Sequence, residues 1–484
     1  MILNIQQQQG KLIISYIKKD GNVGFSQINI PANQQYSYAY AQKGKGLPDL
    51  QSWDFQPIRK TPAQFLNKHR LQEFFMDAGE ENIKHLFEAN MPRFAAADIE
   101  VEVTDEGLND PGLEPGNARN RVTAICYSEY PNVTVFGSKP LTPAEIDAIE
   151  KNINNHVKKF NKEYSFVYKY HANEADLIYD FFYNYVRLAP LLTGWNFWGY
   201  DWRYLMNRCK KLNMDVSWLS PTRQWYEFKI KNKNKNNEAV IMLPQHKLIV
   251  DYMAIYQKWD RTIEVKENDT LDFVCEEALG IRKVKYPGTL KELYDKDYES
   301  YVFYNAIDTV LVELLNEKLK TMSTFLGLGN ITRVEAMNAF SPIVMLEATA
   351  TRYAYINKQV FPKQENKNER ESYEGAFVFT PIPNLYEWVA SFDFASLYPS
   401  IMRQFKLSIE NYLFNDKNYV PKPTEIKTFS GAVFDASYEP LIARILTDYY
   451  GQRKAAKKIS MDAEKKANEL KKILAQRKSA ATIN

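Results

Sequence analysis

Residues 93–103 read RFAAADIEVEV, a β-type run in which Asp98 and Glu100 stand two positions apart. Period-two alternation puts both carboxylates on one face of a strand, a few ångströms apart. Two like charges so close need a cation. The run from Val122 to Gly137, VTAICYSEYPNVTVFG, is a second strand candidate, and the intervening DEGLNDPGLEPGNARN is rich in Gly, Pro and Asn. The spacing predicts a hairpin that opens a new domain. Before it, short β-type runs from Leu12 to Ile30 and a helical stretch ending near Pro92 predict a small α+β domain over 1–97. After it, helical segments around LLTGWNFWGYDWRYLMNRC and DKDYESYVFYNAIDTVLVELLNEKL, with a strand pair around WYEFKIKNKNKNNEAVIML, predict an α/β domain over 98–330. A helical connector follows over 331–380 and contains the polar run PKQENKNERES, read as an exposed loop. Segments 381–447 and 448–484 complete the chain. The latter is a charged helix from about Asp448 to Ser479, free of Pro and rich in Ala, Lys, Glu and Leu.

The 484 residues are enough for about three domains. Apolar residues make up 45% and charged residues 25%, which excludes a disordered chain. The formal net charge is +3, so a nucleic-acid surface has to come from local clustering of Lys and Arg. Cys126, Cys209 and Cys275 form no C-x-x-C pair, and the five histidines show no metal-ligand spacing. These features predict a reducing, cytoplasmic setting without structural zinc. The start lacks an apolar signal core, and no stretch reaches membrane-spanning length, so no membrane partner is expected.

Two further acids extend the strand pair. Asp201, between Tyr200 and Trp202, stands at a predicted helix start, where capping alone would explain it. Tyr304 and Asp308, in YNAID, are four apart and share a helix face. If the four carboxylates converge, they form an oxygen-rich site for two Mg²⁺ or Mn²⁺, suited to attack of water on a phosphodiester, with a tyrosine to orient the nucleophile. A separate acid, Asp393 in SFDFASLYPS (391–400), follows the strand-like run Trp388–Phe392 and is expected at a strand end.

The strings DIEV, GWNFWGYD and YNAID resemble, in order and context, the three exonuclease motifs of family B DNA polymerases. SFDFASLYPS resembles the first palm motif of that family, and YEGAFVFTPIP its exonuclease-to-palm connector. The resemblance runs from Asp98 almost to the end and is nearest to polymerases of T-even-type bacteriophages. It implies a ribonuclease-H-like 3′–5′ exonuclease domain, then partial palm and fingers. It also implies that Asp98, Glu100, Asp201 and Asp308 hold the exonuclease metals, with Tyr304 catalytic beside them. Asp393, with the backbone at Phe394, is implied to bind the polymerase metals. Ser396, Leu397 and Tyr398 are implied to meet the incoming dNTP, Tyr398 excluding a 2′-hydroxyl, and Arg453 and Lys457, four apart on one helix, to face its triphosphate. The implied partners are primer-template and single-stranded DNA, a sliding clamp, and a polypeptide carrying the rest of the polymerase.

That last partner is expected because the second palm aspartate of the family, in a Tyr-Gly-Asp-Thr-Asp turn, has no counterpart in this sequence, nor has the Lys-x-x-x-Asn-Ser-x-Tyr-Gly helix. The expectation is an N-terminal portion ending within the fingers, with polymerisation dependent on the remainder. Two other readings stay open: a stand-alone 3′–5′ DNA exonuclease and a non-catalytic DNA-binding scaffold. Only the polymerase reading uses Tyr398, Arg453 and Lys457, whereas a scaffold has no use for four mutually repelling acids. Within 227–243, Lys229, Lys231, Lys233 and Lys235 are expected along one face of a β-hairpin with Asn236-Asn237 near its turn. By resemblance, such a hairpin helps move a primer end from palm to exonuclease.

Overall fold

A computed structural model describes the chain except residues 89, 232–237, 260–267, 287, 363–377, 395, 483 and 484. The polar run 362–372, the first part of YEGAFVFTPIP, and Lys233, Lys235, Asn236 and Asn237 therefore lie wholly or almost wholly outside the described residues. The chain divides into two compact units, Met1–Gln35 with Phe74–Ala348, and Tyr36–Glu73 with Thr349–Asn484.

The first unit is built on a six-stranded mixed sheet. Its spatial order is Ser165–Tyr170, Asn132–Gly137, Val122–Glu129, Phe94–Val101, Leu191–Thr193, Leu248–Ile249. Phe94–Val101 pairs antiparallel with Val122–Glu129 on one edge and parallel with Leu191–Thr193 on the other. The expected antiparallel pair is thus formed by central strands, but the run Val122–Gly137, read as one strand, is two, Val122–Glu129 and Asn132–Gly137, which turn at Tyr130-Pro131 and pair with each other. Val122–Glu129 is buried over all but its last residue, as its unbroken apolar and small-residue run requires. The helix Tyr298–Leu319 crosses one face of the sheet, with Pro143–Val157 and Leu271–Leu279 beside it. Asp297 caps its start, donated to by Ser300 N–H at 3.1 Å, and Lys320, with φ +55°, ends it. The other face carries an aromatic layer that includes Phe181, Phe182, Phe197 and Trp202, all fully buried. Trp225–Lys231 and Glu238–Pro244 form an antiparallel pair whose turn lies outside the described residues. A three-stranded antiparallel sheet, Ile2–Gln8, Lys11–Ile17 and Val23–Asn29, completes the strands of this unit.

The second unit has smaller cores, one around Tyr36, Tyr38, Ile58 and Val360 and one around Ala350, Ala354, Leu441 and Ile445. A three-stranded sheet orders Tyr412–Asn415, Ala432–Asp435 and Glu425–Lys427. The charged helix runs over Leu441–Thr482, starting earlier than its composition implies. It begins straight after Pro440, where the Glu410 carboxylate accepts Leu441 N–H at 2.6 Å and places a negative charge at the helix N-terminus.

The strand expected over Trp388–Phe392 is not formed. Trp388 has φ +59°, which breaks an extended run, and no described strand pairs with this segment. Trp388 and Phe392 are almost fully exposed.

Candidate active site

Asp98 and Glu100 project from the central strand toward the helix Tyr298–Leu319, which supplies Asp308. Ligand atoms of Asp98, Glu100 and Asp308 lie within 4.8 Å of one another. Among the described residues this is the one cluster of three or more potential metal ligands. Asn305, one helical turn before Asp308, donates Nδ2–H to Asp98 Oδ2 at 2.8 Å and so fixes that carboxylate. Lys283 approaches from the segment after Leu271–Leu279. Its Nζ lies 2.5 Å from Asp308 Oδ2 and donates to the Tyr304 hydroxyl at 3.2 Å. Tyr304 is also held edge-on against Tyr286, with ring centroids 5.2 Å apart.

Asp201 is placed differently. Along the central strand, Leu191–Thr193 pairs with Phe94–Ala96 and no further, so the strand edge beyond Ala96 has no ladder partner there. Asp201, at the first position of the helix Asp201–Lys211, turns its Oδ1 to the Ile99 N–H at 3.1 Å, between the two strand acids in sequence. That bond satisfies a buried backbone donor. Gly194 makes the approach of this loop possible, because a Cβ there would stand 2.4 Å from the Ala97 carbonyl oxygen.

The electrostatics follow from burial and crowding. Burial, then the nearby Asp308, pushes Asp98 up to about 7, against the opposing pull of Lys283 and Asn305. Burial and repulsion from Asp98 and Asp308 raise Glu100 well above the usual carboxylate range. Burial and Asp98 raise Asp201. Burial also raises Asp308, although Lys283 and Tyr304 favour its charge. At Lys283 burial works against the ammonium, but Asp308 and Tyr304 outweigh it and its pKa is raised. Asp308 Oδ1 is buried and has no hydrogen-bond partner. Three converging carboxylates, Asp98 and Glu100 destabilised by burial and by their acidic neighbours and Asp308 chiefly by burial, with one buried Asp308 oxygen unpartnered, fit a hard divalent cation with oxygen ligands.

Sequence reasoning did not find Lys283 or Asn305. Asn305 lies inside YNAID, where its spacing of three from Asp308 was the available signal. Lys283 lies in IRKVKYPG, which has no local pattern pointing to the acids.

The second unit assembles no comparable cluster among its described residues. Asp393 and Phe394 are exposed in the irregular segment, and Ser396, with φ +54°, precedes the helix Leu397–Gln404 that contains Tyr398, 73% exposed. Arg453 and Lys457 share a face of the long helix, which is exposed throughout 451–474.

A strand–helix carboxylate site of this kind, within a multidomain α/β chain, defines an enzyme class that comparison with known proteins makes specific. The family model "DNA polymerase family B, exonuclease domain" matches residues 63–267, and "DNA polymerase family B" matches residues 342–483. The chain belongs to DNA polymerase family B. It is 28% identical over 411 residues to the DNA-directed DNA polymerase of Escherichia phage RB69, covering 79% of this chain and 44% of that protein. It is 28% identical over 322 residues to that of Enterobacteria phage T4, covering 64% and 35%. With the DNA polymerase delta catalytic subunit of Dictyostelium discoideum it shares 24% identity over 306 residues, 59% of this chain and 27% of that one. The chain thus spans less than half the length of these relatives. The exonuclease match includes Asp98, Glu100 and Asp201 and stops before Lys283 and Asp308. No helix among the described residues is long and apolar enough to cross a membrane.

Proposed function

We propose that the first unit is a metal-dependent 3′–5′ DNA exonuclease of ribonuclease-H-like fold, serving as the proofreading part of a replicative DNA polymerase. The observation that carries this reading is the convergence of Asp98, Glu100 and Asp308 within 4.8 Å on a chain of this family. Asp98, Glu100 and Asp308, with Asp201 adjacent, would hold two Mg²⁺ or Mn²⁺. Bound there, such ions supply the charge that lowers the pKa of water and offsets the developing charge on the leaving oxygen. The chain's own groups do the rest. Asn305 holds the Asp98 carboxylate in one orientation through its amide. The Tyr304 hydroxyl, which accepts from Lys283 and hydrogen-bonds Asp308, stands where it could orient a water or phosphate oxygen once Asp308 is taken up by a metal. The Lys283 ammonium offers positive charge to a phosphate oxygen at the same place.

The second unit supplies residues for nucleotidyl transfer in the same reading: Asp393 and the Phe394 backbone toward metal, Ser396, Leu397 and Tyr398 toward the dNTP sugar, and Arg453 and Lys457 toward its triphosphate. Asp393 is one carboxylate, and a metal pair needs more than one, so primer extension requires further acids, from a continuous or a separate polypeptide. The substrates are single-stranded DNA and primer-template with dNTPs, a sliding clamp is the processivity partner, and the phage relatives point to the cytoplasm of a bacterial host. The domain limits 98–330, 331–380, 381–447 and 448–484 belong to this proposal. The test is a single-stranded oligonucleotide labelled at its 5′ end: a ladder shortening from the 3′ end in Mg²⁺, and none in EDTA, is expected. Internal cleavage, or equal loss in EDTA, refutes it.

A further inference from the structure

The strap that brings Lys283 into the site is held at both ends. The helix Leu271–Leu279 is capped at its start by Thr270 and stopped at Gly280, whose φ of +62° reverses the chain. The residues that follow run back along that helix, with Ile281, Val284 and Tyr286 packed on the core. The Lys283 backbone N–H then donates at 2.8 Å to Asp272 Oδ1, in the first turn of the same helix. Asp272 makes no contact of its own with the three clustered acids. Its charge also raises the Asp308 carboxyl directly, beside the hold its carboxylate has on the Lys283 backbone.

The ammonium so placed touches Asp308 Oδ2 and leaves Asp308 Oδ1 buried without a partner. One carboxylate is therefore shared between a resident positive charge and the space a metal would take. We infer that Lys283 is a built-in counter-cation that competes with a divalent ion for Asp308, and that Asp272 is the positioning residue that keeps it there. Resting on the exonuclease reading, this makes metal affinity a property of the strap 280–286 as well as of the acids. Lys283 stabilises the metal-free protein by offsetting carboxylate repulsion, and by the same charge it weakens metal binding.

The experiment is Mn²⁺ titration of the metal-free full chain by calorimetry, without DNA, together with its melting temperature in EDTA. Lys283→Met is expected to bind Mn²⁺ at least tenfold more tightly than the parent and to melt lower in EDTA, while Lys283→Arg stays near the parent in both. Asp272→Ala is expected to bind Mn²⁺ more tightly than Asp272→Asn, because the amide retains the acceptor for Lys283 N–H and both variants lose the same charge. Unchanged or weaker Mn²⁺ binding by Lys283→Met overturns the inference and leaves the exonuclease reading standing. Absence of Mn²⁺ binding by the parent overturns both. Should Lys283→Met fail to fold, the Asp272 pair decides: equal affinities overturn the tether, tighter binding by the alanine variant supports it.

Discussion

Replacing Asp98 by Asn should stabilise the metal-free protein at neutral pH and abolish stabilisation by metal. Burial and Asp308 push the Asp98 carboxyl up to about 7 from an ordinary 3.8. A carboxyl whose folded pKa is raised favours the protonated native state. Its penalty is absent below the unfolded value, grows as pH rises between the two, and is complete above about 7. Three units at about 1.4 kcal/mol each make the full penalty about 4 kcal/mol. Asn removes the charge and retains an oxygen to accept from Asn305. The variant should therefore melt about 8 °C higher than the parent in EDTA at pH 8, at about 2 °C per kcal/mol for a unit of this size. At pH 5 the gain should be about a third as large, because only the part of the penalty above the unfolded pKa has accrued. Differential scanning calorimetry at the two pH values reads both differences. An Asp98→Asn variant no more stable than the parent at pH 8, or equally stabilised at pH 5, would refute the argument that crowded, buried acids strain this site.

Three other outcomes test separate parts of the molecule. His246 is buried between Ser15 Oγ at 3.0 Å and Gln6 Oε1 at 3.1 Å, and burial lowers its pKa to about 4. Its stabilisation is complete above pH 6.5 and is lost toward pH 4, about 3 kcal/mol in all, so a His246→Asn variant, less stable at pH 7, should close on the parent as pH falls in urea titrations. Gly194→Ala puts a Cβ 2.4 Å from the Ala97 carbonyl oxygen, and should destabilise the first unit by about 1–3 kcal/mol in the same assay. Shortening the hairpin beyond Phe228 and Ile241 should slow degradation of mismatched duplex ends severalfold while leaving single-stranded DNA degradation unchanged; equal rates on both substrates discard the strand-transfer role of its lysines.

What the sequence made legible was periodic. Alternation alone placed Asp98 and Glu100 on one strand face, and a four-residue spacing placed Tyr304 and Asp308 on one helix face; both elements are present. Their convergence was conditional on topology, since nothing local says that Tyr298–Leu319 crosses that strand. The Asp201 contact with Ile99 N–H was hidden for a similar reason, because it depends on where Leu191–Thr193 stops pairing. Lys283 was invisible, reaching Asp308 only because Gly280 reverses the chain and Asp272 holds the return. The failure at Trp388–Phe392 shows the limit of propensity. An aromatic, β-branched run makes a strand only where another strand accepts its backbone.

The most direct test of the central claim is the rate at which the purified chain trims 3′-terminal nucleotides from labelled single-stranded DNA in Mg²⁺, compared with an Asp98→Ala, Glu100→Ala double variant. Removing two of the three clustered carboxylates should lower the rate by at least about a hundredfold while the fold is retained by circular dichroism. A folded double variant that trims DNA as fast as the parent would contradict the assignment of catalysis to this site.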